Sequence, residues 1–342
     1  MIGLVHFIRF TCKTKRTKEL VYLITSTIKR IPFLLALTMF FSTLSFLFLS
    51  PSAVNAASGE TASISDILKY QQADGGWKKD YTTTSGEWAK STIDNKATYT
   101  EIRRLAAEYQ KTKDSKYSAA AIKGINFLLN MQYANGGWPQ VYNSSGYHKH
   151  ITFNDNAMIN VMILLDDVAN KKGDFSFIDS TLAGRCKTAV TKGVNLILQM
   201  QVVVNGKLTV WGQQHDSVTL KPAGARAYEV PSLSGQESVG IVKFLKTRSS
   251  TTQIAASIKA AEDWFKAVKI TGIKVVKTSD DVVVTSDPTA PAIWARFYEI
   301  NTNKPIFVGR DGIVKYKLSD IEQERRVNYS WYGNWPNGLG IY

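Results

Sequence analysis

Cysteine is nearly absent from this chain, with two among 342 residues, Cys12 and Cys186. A disulfide framework is therefore excluded once the N-terminal leader is removed, because Cys186 then stands alone. Histidine is also scarce, at four, and neither residue type recurs at a usual zinc-ligand spacing, which argues against zinc. No serine-nucleophile elbow occurs, so the sequence gives little support to a Ser-His-Asp hydrolase. Acidic residues are short as well: 28 Asp and Glu face 42 Lys and Arg, a formal net charge of +14. A low-complexity linker is missing between Ala57 and Tyr342, so that span reads as a single domain; any boundary would fall near Asp287 to Pro291.

Part of the positive charge belongs to the leader. Residues Met1 to Arg30 carry seven Lys or Arg against one Glu, and a strongly apolar run follows from Ile31 to Leu49. Pro51-Ser-Ala-Val-Asn-Ala56 then supplies small residues suited to cleavage after Ala56. The pattern predicts a secretory signal over 1–56, with an uncleaved membrane anchor as the rival because the run is long enough to span a bilayer. Removal takes away a charge of +6 and leaves +8 on the mature chain. A secreted, extracellular protein with that surplus favours polyanions: nucleic acid, anionic lipid, cell-wall polymer or acidic polysaccharide. Secretion without disulfides fits a Gram-positive type of exporter, and Cys186 on an apparent helix reads as a core filler.

What the chain does have is a repeated word. Gln71-Gln-Ala-Asp-Gly-Gly-Trp77 returns as Gln132-Tyr-Ala-Asn-Gly-Gly-Trp138, each closing a helix-like apolar run, and a degenerate copy runs from Gln201 through Asn205-Gly206 to Trp211. Copies lie about 60 to 70 residues apart, the length of two helices with connections, which predicts stacked antiparallel helix pairs. The glycine is expected to take the left-handed backbone at the helix end, with Trp sealing it. Helical periodicity covers Tyr99 to Gln110, Ser118 to Met131, Asn156 to Val168, Leu182 to Gln201, Gly235 to Phe244 and Thr252 to Val268. Residues 272–277 and 282–285 read as a small β-hairpin. A further short helix and an aromatic tail follow Pro291.

The connections carry the chemistry. Asp94-Asn95 and Asn154-Asp155-Asn156 each open a helical segment. N-capping is the plain alternative for both. Brought to one mouth of a toroid, they would instead offer hard oxygens suited to Ca²⁺. His215 beside Asp216 invites a general-base reading, with a structural hydrogen-bonded pair standing equally beside it. Arg296 and Arg310 sit among aromatic residues, a combination suited to carboxylates on sugar rings or, more plainly, to a solvated basic face.

Several longer words resemble a known family. Ile93-Asp94-Asn95, Phe153-Asn154-Asp155, Gln214-His215-Asp216, Leu220-Lys221-Pro222-Ala223, Ala225-Arg226-Ala-Tyr228-Glu229, Pro231-Ser232-Leu233-Ser234-Gly235, Ile293-Trp294-Ala295-Arg296-Phe297-Tyr298-Glu299 and Asp311-Gly312 are similar to the family 10 polysaccharide lyases, the pectate lyases. The likeness runs from about Ser63 to Trp335. It implies a mainly α, (α/α) toroid-like domain of helical hairpins with much irregular coil and a small β-hairpin. It also implies cleavage of de-esterified polygalacturonate by Ca²⁺-assisted β-elimination, giving 4,5-unsaturated products. By the same resemblance Arg226 is the catalytic base, Asp94, Asn95 and Asp155 are the metal ligands, and Arg296, Arg310, Lys221, His215 and Asp216 bind substrate. Gly224 and Val230 depart from the family pattern, where a bulkier residue and a second proline are expected, so the shape of the loop around Arg226 stays open.

The chemistry is consistent with that assignment. The proton at C5 is α to a uronate carboxylate, and cations on that carboxylate stabilise the charge left when it departs. Arginine is a weak base, with a pKa above about 12, so an alkaline optimum is expected. A monomer is expected, with polygalacturonate as partner, no nucleic acid, and no membrane after signal removal. The rivals are an inverting glycoside hydrolase using Asp94 and Asp155 about 6.5 to 9.5 Å apart, and a non-catalytic binder of acidic polysaccharide.

Overall fold

Apolar residues at helical spacing become helices in the computed structural model, which describes residues 58–341. The leader, its cleavage point and Cys12 lie outside the described residues. In chain order the helices are α1 (Ile64–Tyr70), α2 (Tyr99–Thr112), α3 (Ser115–Met131), α4 (Ala157–Ala169), α5 (Ser180–Met200), α6 (Glu237–Lys246), α7 (Thr252–Ala267) and the short α8 (Gln323–Val327). Side chains of Ser63, Asp114, Asp179 and Thr251 cap α1, α3, α5 and α7 by accepting backbone N–H groups of the first turn. Helices α2 and α3, α4 and α5, and α6 and α7 pack as hairpins. The first member of each pair also touches the first member of the next, giving an inner row α2, α4, α6 with α3, α5 and α7 outside. The domain is thus mainly α and toroid-like.

The repeated word works differently from its sequence-based reading. Helices α1 and α3 end at Gln71 and Gln132, both with extended backbone, not at the glycine. The left-handed residues are Gly75 and Gly136, both at φ +103°, and they sit in the turn that follows. A Cβ on Gly136 would lie 2.5 Å from the Lys192 carbonyl oxygen, so only glycine lets the turn rest on the neighbouring helix. Each glutamine amide bridges two carbonyls. Gln71 Nε2 donates to Gly75 and Ala120, Gln132 Nε2 to Gly136 and Ala189, and Gln201 Nε2 to Thr209 and Ser257.

Each tryptophan then seals the last turn of the helix before it. Indole N–H groups of Trp77, Trp138 and Trp211 donate to the carbonyls of Ile67, Leu128 and Ile197 at 2.8, 2.8 and 2.7 Å. Trp294 makes the same bond to Phe265 at 2.8 Å, a fourth copy that no sequence word announces. Helix ends leave carbonyls without partners, and a buried indole satisfies one while filling the core.

Strands are short: β1 (Ile151–Thr152), β2 (Val203–Val204), β3 (Lys207–Leu208), β4 (Gln214–His215), β5 (Leu233–Ser234), β6 (Ile273–Lys277), β7 (Val282–Ser286), β8 (Trp294–Ala295), β9 (Phe297–Tyr298), β10 (Pro305–Val308), β11 (Val314–Lys315) and β12 (Tyr332–Gly333). The hairpin β6–β7 pairs Ile273 with Ser286 through Lys277 with Val282. Strands β11, β10, β9 and β5 form a four-stranded sheet over a smaller core of Tyr228, Phe297, Phe307 and Trp331. Cys186 is fully buried on α5, and burial pushes its thiol up to about 12.

One buried carboxyl makes the fold sensitive to pH. Glu101 on α2 is fully buried, accepts the Tyr81 hydroxyl at 2.9 Å, and is raised from an ordinary 4.5 to about 7 by desolvation. The folded chain therefore keeps this proton where an exposed glutamate has lost it. Its contribution to stability is full below about pH 4.5 and is lost as pH rises through about 7. Denaturant unfolding across that range should show the wild type losing on the order of 3 kcal/mol relative to Glu101→Gln. Parallel curves for the two proteins would refute the assignment.

Candidate functional site

The inner helices begin at one end of the hairpin stack, and the turns that lead into α2, α4 and α6 line up there. The first two are 3-10 turns, Asp94–Lys96 and Asn154–Asn156, in contact with each other. Asn95, Lys96, Asp155 and Asn156 hold left-handed backbone at φ +46°, +69°, +51° and +59°. Asn and Asp tolerate this region better than most side chains, and such strain collects at functional sites.

Each turn is pinned by the residue two positions beyond the tryptophan of the following repeat. Ile93 N–H donates to the Gln140 carbonyl, Phe153 N–H to that of Gln213, and Gly235 N–H to that of Arg296. The same residues reach over the turn with their side chains. Gln140 Nε2 donates to Asp94 Oδ1 at 2.8 Å, Gln213 Nε2 to Asn154 Oδ1 at 2.6 Å, and Arg296 Nη2 to Glu237 Oε1 at 2.7 Å. Lys79, two positions after Trp77, binds Asp94 Oδ2 at 2.7 Å and lies 4.6 Å from the centre of the Trp88 ring.

These turns wall a cavity of about 390 Å³ lined by Asp94, Asn95, Asp155, Arg226, Glu229 and Lys79, with Trp88, Tyr147, Gln140, Asn154 and Gln214 completing it. Asp155 is raised above the ordinary carboxylate range by burial and by the charge of Glu237, in spite of Arg296 Nη2 at 3.9 Å. Arg226 is clamped by Glu229: Nε donates to Oε2 at 2.7 Å and Nη2 to Oε1 at 2.5 Å. These hydrogen bonds raise the guanidinium above its ordinary value. Burial would raise Glu229, but Arg226 outweighs it and the carboxylate stays low. Among the described residues Arg226 Nη1 has no partner, so the clamp leaves one nitrogen for another group. Tyr329 joins the two arginines, donating its hydroxyl to Glu229 at 2.8 Å while its ring lies 4.7 Å beneath the Arg296 guanidinium.

The structure thus brings Asp94, Asn95, Asp155 and Arg226 to one cavity, with Arg296 behind Asp155. Four other sequence candidates lie elsewhere. His215 is fully buried on β4, where it accepts the Gly212 N–H at Nε2 and bonds the Leu220 carbonyl through Nδ1. Burial lowers it to about 4, so it is neutral and structural here. Asp216 does not pair with it; its carboxylate caps the turn at Val218 and Thr219. The Lys221 side chain is exposed and away from the cavity wall. Arg310 is exposed and paired with Glu324 at 2.9 Å, reaching the site only through Tyr228, whose ring centre lies 5.9 Å from it and 4.9 Å from Arg226. Sequence reasoning gave no role to Lys79, Gln140, Gln213, Glu237 or Tyr329. The spacing of two from each tryptophan would have marked Lys79, Gln140 and Gln213.

The oxygen-rich half of the cavity suits a hard cation. Carboxylates of Asp94 and Asp155 face it together with the Asn95 amide, and buried amide oxygens of Gln140 and Gln214 have no partner. Among the described residues no group of three or more His, Cys, Asp or Glu is placed to hold a metal ion, and both Asp94 oxygens already accept, from Lys79 and Gln140. Cations line the same cavity, Lys79 on Asp94 and Arg226 on Glu229, so carboxylate and cationic groups meet there.

The family comparison places this helical domain among the polysaccharide lyases. The family model for pectic acid lyase matches residues 60–340, and the chain belongs to that family of pectate lyases. A family 10 polysaccharide lyase from Cellvibrio cellulosa is similar at 38% identity and TM-score 0.75, over 83% of this chain and 94% of that one. A mutant family 10 lyase from the same organism, in complex with trigalacturonic acid, is similar at 39% identity and TM-score 0.74, over 81% and 91%. Among curated proteins no sequence matches.

Since His215 is buried and neutral, His215→Ala should destabilise the protein by about 2 to 4 kcal/mol in denaturant unfolding. The pH profile of kcat/KM should keep its shape. A lost limb in that profile would return His215 to the chemistry.

Proposed function

We propose that this lyase cleaves de-esterified polygalacturonate by β-elimination with Arg226 as base, Arg296 as a carboxylate ligand, and Ca²⁺ held by Asp94, Asn95 and Asp155. The observation that carries the reading is a clamped arginine with one free nitrogen lining the same cavity as two carboxylate-bearing turns. Calcium would neutralise the substrate carboxylate next to C5 and lower the cost of charge there.

The remaining work falls to the chain itself. Neutral Arg226 takes the C5 proton at Nη1. The electron pair of that C–H bond forms the C4–C5 double bond, the C4–O4 bond breaks, and the departing oxygen takes a proton from water. Glu229 fixes the plane of the guanidinium and aims Nη1. It also favours the charged form, so neutral Arg226 becomes more available as pH rises. Lys79 and Gln140 orient Asp94, while Glu237 and Tyr329 hold Arg296 over Asp155.

We further propose that residues 57–342 act as one secreted, monomeric catalytic domain after removal of the signal at 1–56. The basic leader, apolar run and small-residue site support export, and a mature charge of +8 supports attraction of a polyanion.

Absorbance near 235 nm, which reports the unsaturated product, should grow when polygalacturonate is added with Ca²⁺ and stop with a chelator. Arg226→Ala should lower kcat by about 10²–10⁴-fold. The wild-type rate should still rise between neutral pH and about pH 9. New reducing ends without absorbance would replace elimination by hydrolysis, and a rate maximum near pH 5 would remove arginine as the base.

A further inference from the structure

Behind the catalytic cavity lies a second one of about 520 Å³, within the size range of small-ligand sites. The hairpin β6–β7 contributes Val275, Lys277 and Val282, and the C-terminal segment contributes Arg326 through Tyr332. Its floor includes Arg296 and Tyr329, the pair that backs the catalytic site.

The chemistry of this lining is one-sided. Three cations, Lys277, Arg296 and Arg326, face the cavity, and no carboxylate lines it. Arg326 is engaged by Asp281 at 2.6 Å and Arg296 Nη2 by Glu237 at 2.7 Å. Lys277 has no ion pair among the described residues, which leaves its charge available. Arg296 is nearly fully buried, at 6% exposure, and its Nε–H has no hydrogen-bond partner. A buried charged donor without an acceptor is costly, and an anionic ligand reaching this wall would relieve that cost. Tyr332 adds a half-buried ring, and Asn328 and Ser330 add polar groups at the rim. Cations for a carboxylate, a ring for a sugar face and small polar groups for hydroxyls are together the recognition set of a uronate.

We propose that the cavity beneath the β6–β7 hairpin is a second uronate-binding site, separate from the cleft at Arg226, which holds part of a galacturonan chain through Lys277 and Arg296. The proposal rests on the galacturonan reading of the catalytic site for the identity of the sugar. An occupant would touch Arg296, which pairs with Glu237 and lies 3.9 Å from Asp155 of the catalytic cavity, so filling the rear site bears on how firmly Arg296 holds them.

Calorimetric titration of trigalacturonate into Arg226→Ala, which binds without consuming the ligand, tests this. Two binding events are expected. Adding Lys277→Glu should weaken one event at least about tenfold, the loss of one charge-assisted contact. The melting curve of this variant should match that of Arg226→Ala, and maltotriose, a neutral trisaccharide, should give no event at the rear site. A single event, two events untouched by the substitution, or equal binding of maltotriose would each overturn the proposal. In wild-type background Lys277→Glu should raise KM for the polymer. Two events alongside a wild type that produces no 235 nm absorbance would reject elimination while leaving the second site in place.

Discussion

The bond from a buried indole N–H to the last turn of the preceding helix is the constraint on which the rest depends. It is made at Trp77, Trp138, Trp211 and Trp294, and each time it fixes where the chain turns back after an outer helix. With that point fixed, the residue two positions on is fixed as well. Gln140, Gln213 and Arg296 are therefore delivered to the same place on successive turns, where main chain and side chain together clasp the entry to an inner helix. The carboxylate-bearing wall of the cavity is a product of this register.

Substitution within equivalent positions then creates chemistry. By the pinning of their backbones, Asn95, Asp155 and Glu237 occupy corresponding places in the three turns, as do Asp94, Asn154 and Gln236. Alternating acid with amide puts two carboxylates on the cavity wall, while Glu237 is left to hold Arg296. Arg226 enters from outside the repeat, on the long connection before β5. Its charge is balanced locally by Glu229, which in turn is bound to Tyr329. The Tyr329 ring thus lies within reach of both guanidinium groups while its hydroxyl bonds to the counter-ion of one.

Much of this was legible in the sequence. Periodicity located every long helix, and two clear words with one degenerate copy gave the hairpin architecture. The fourth seal was hidden because the β6–β7 hairpin lies between α7 and Trp294, so 29 positions separate donor and acceptor where ten do at Trp77. The helix stop was misplaced because a Gly-Gly pair after Asn or Asp looks like a helix C-terminus, while glutamine amides end these helices by bridging carbonyls across to the next outer helix. His215-Asp216 looked like a catalytic pair because adjacency in sequence says nothing of facing. On an extended strand neighbouring side chains point to opposite sides, and here one enters the core while the other caps a turn. Arg226 and Arg296 became readable through long family words, whereas the side chains that position them lie in repeats too degenerate to align by eye.

The isolated thiol of Cys186 has a consequence outside the cleft. Fully buried and with its acidity suppressed, it offers almost no thiolate to an oxidant or to another sulfur. Residues 58–341 thus hold a single thiol and can form no disulfide within themselves, so their folding requires no oxidant and offers no wrong internal pairing.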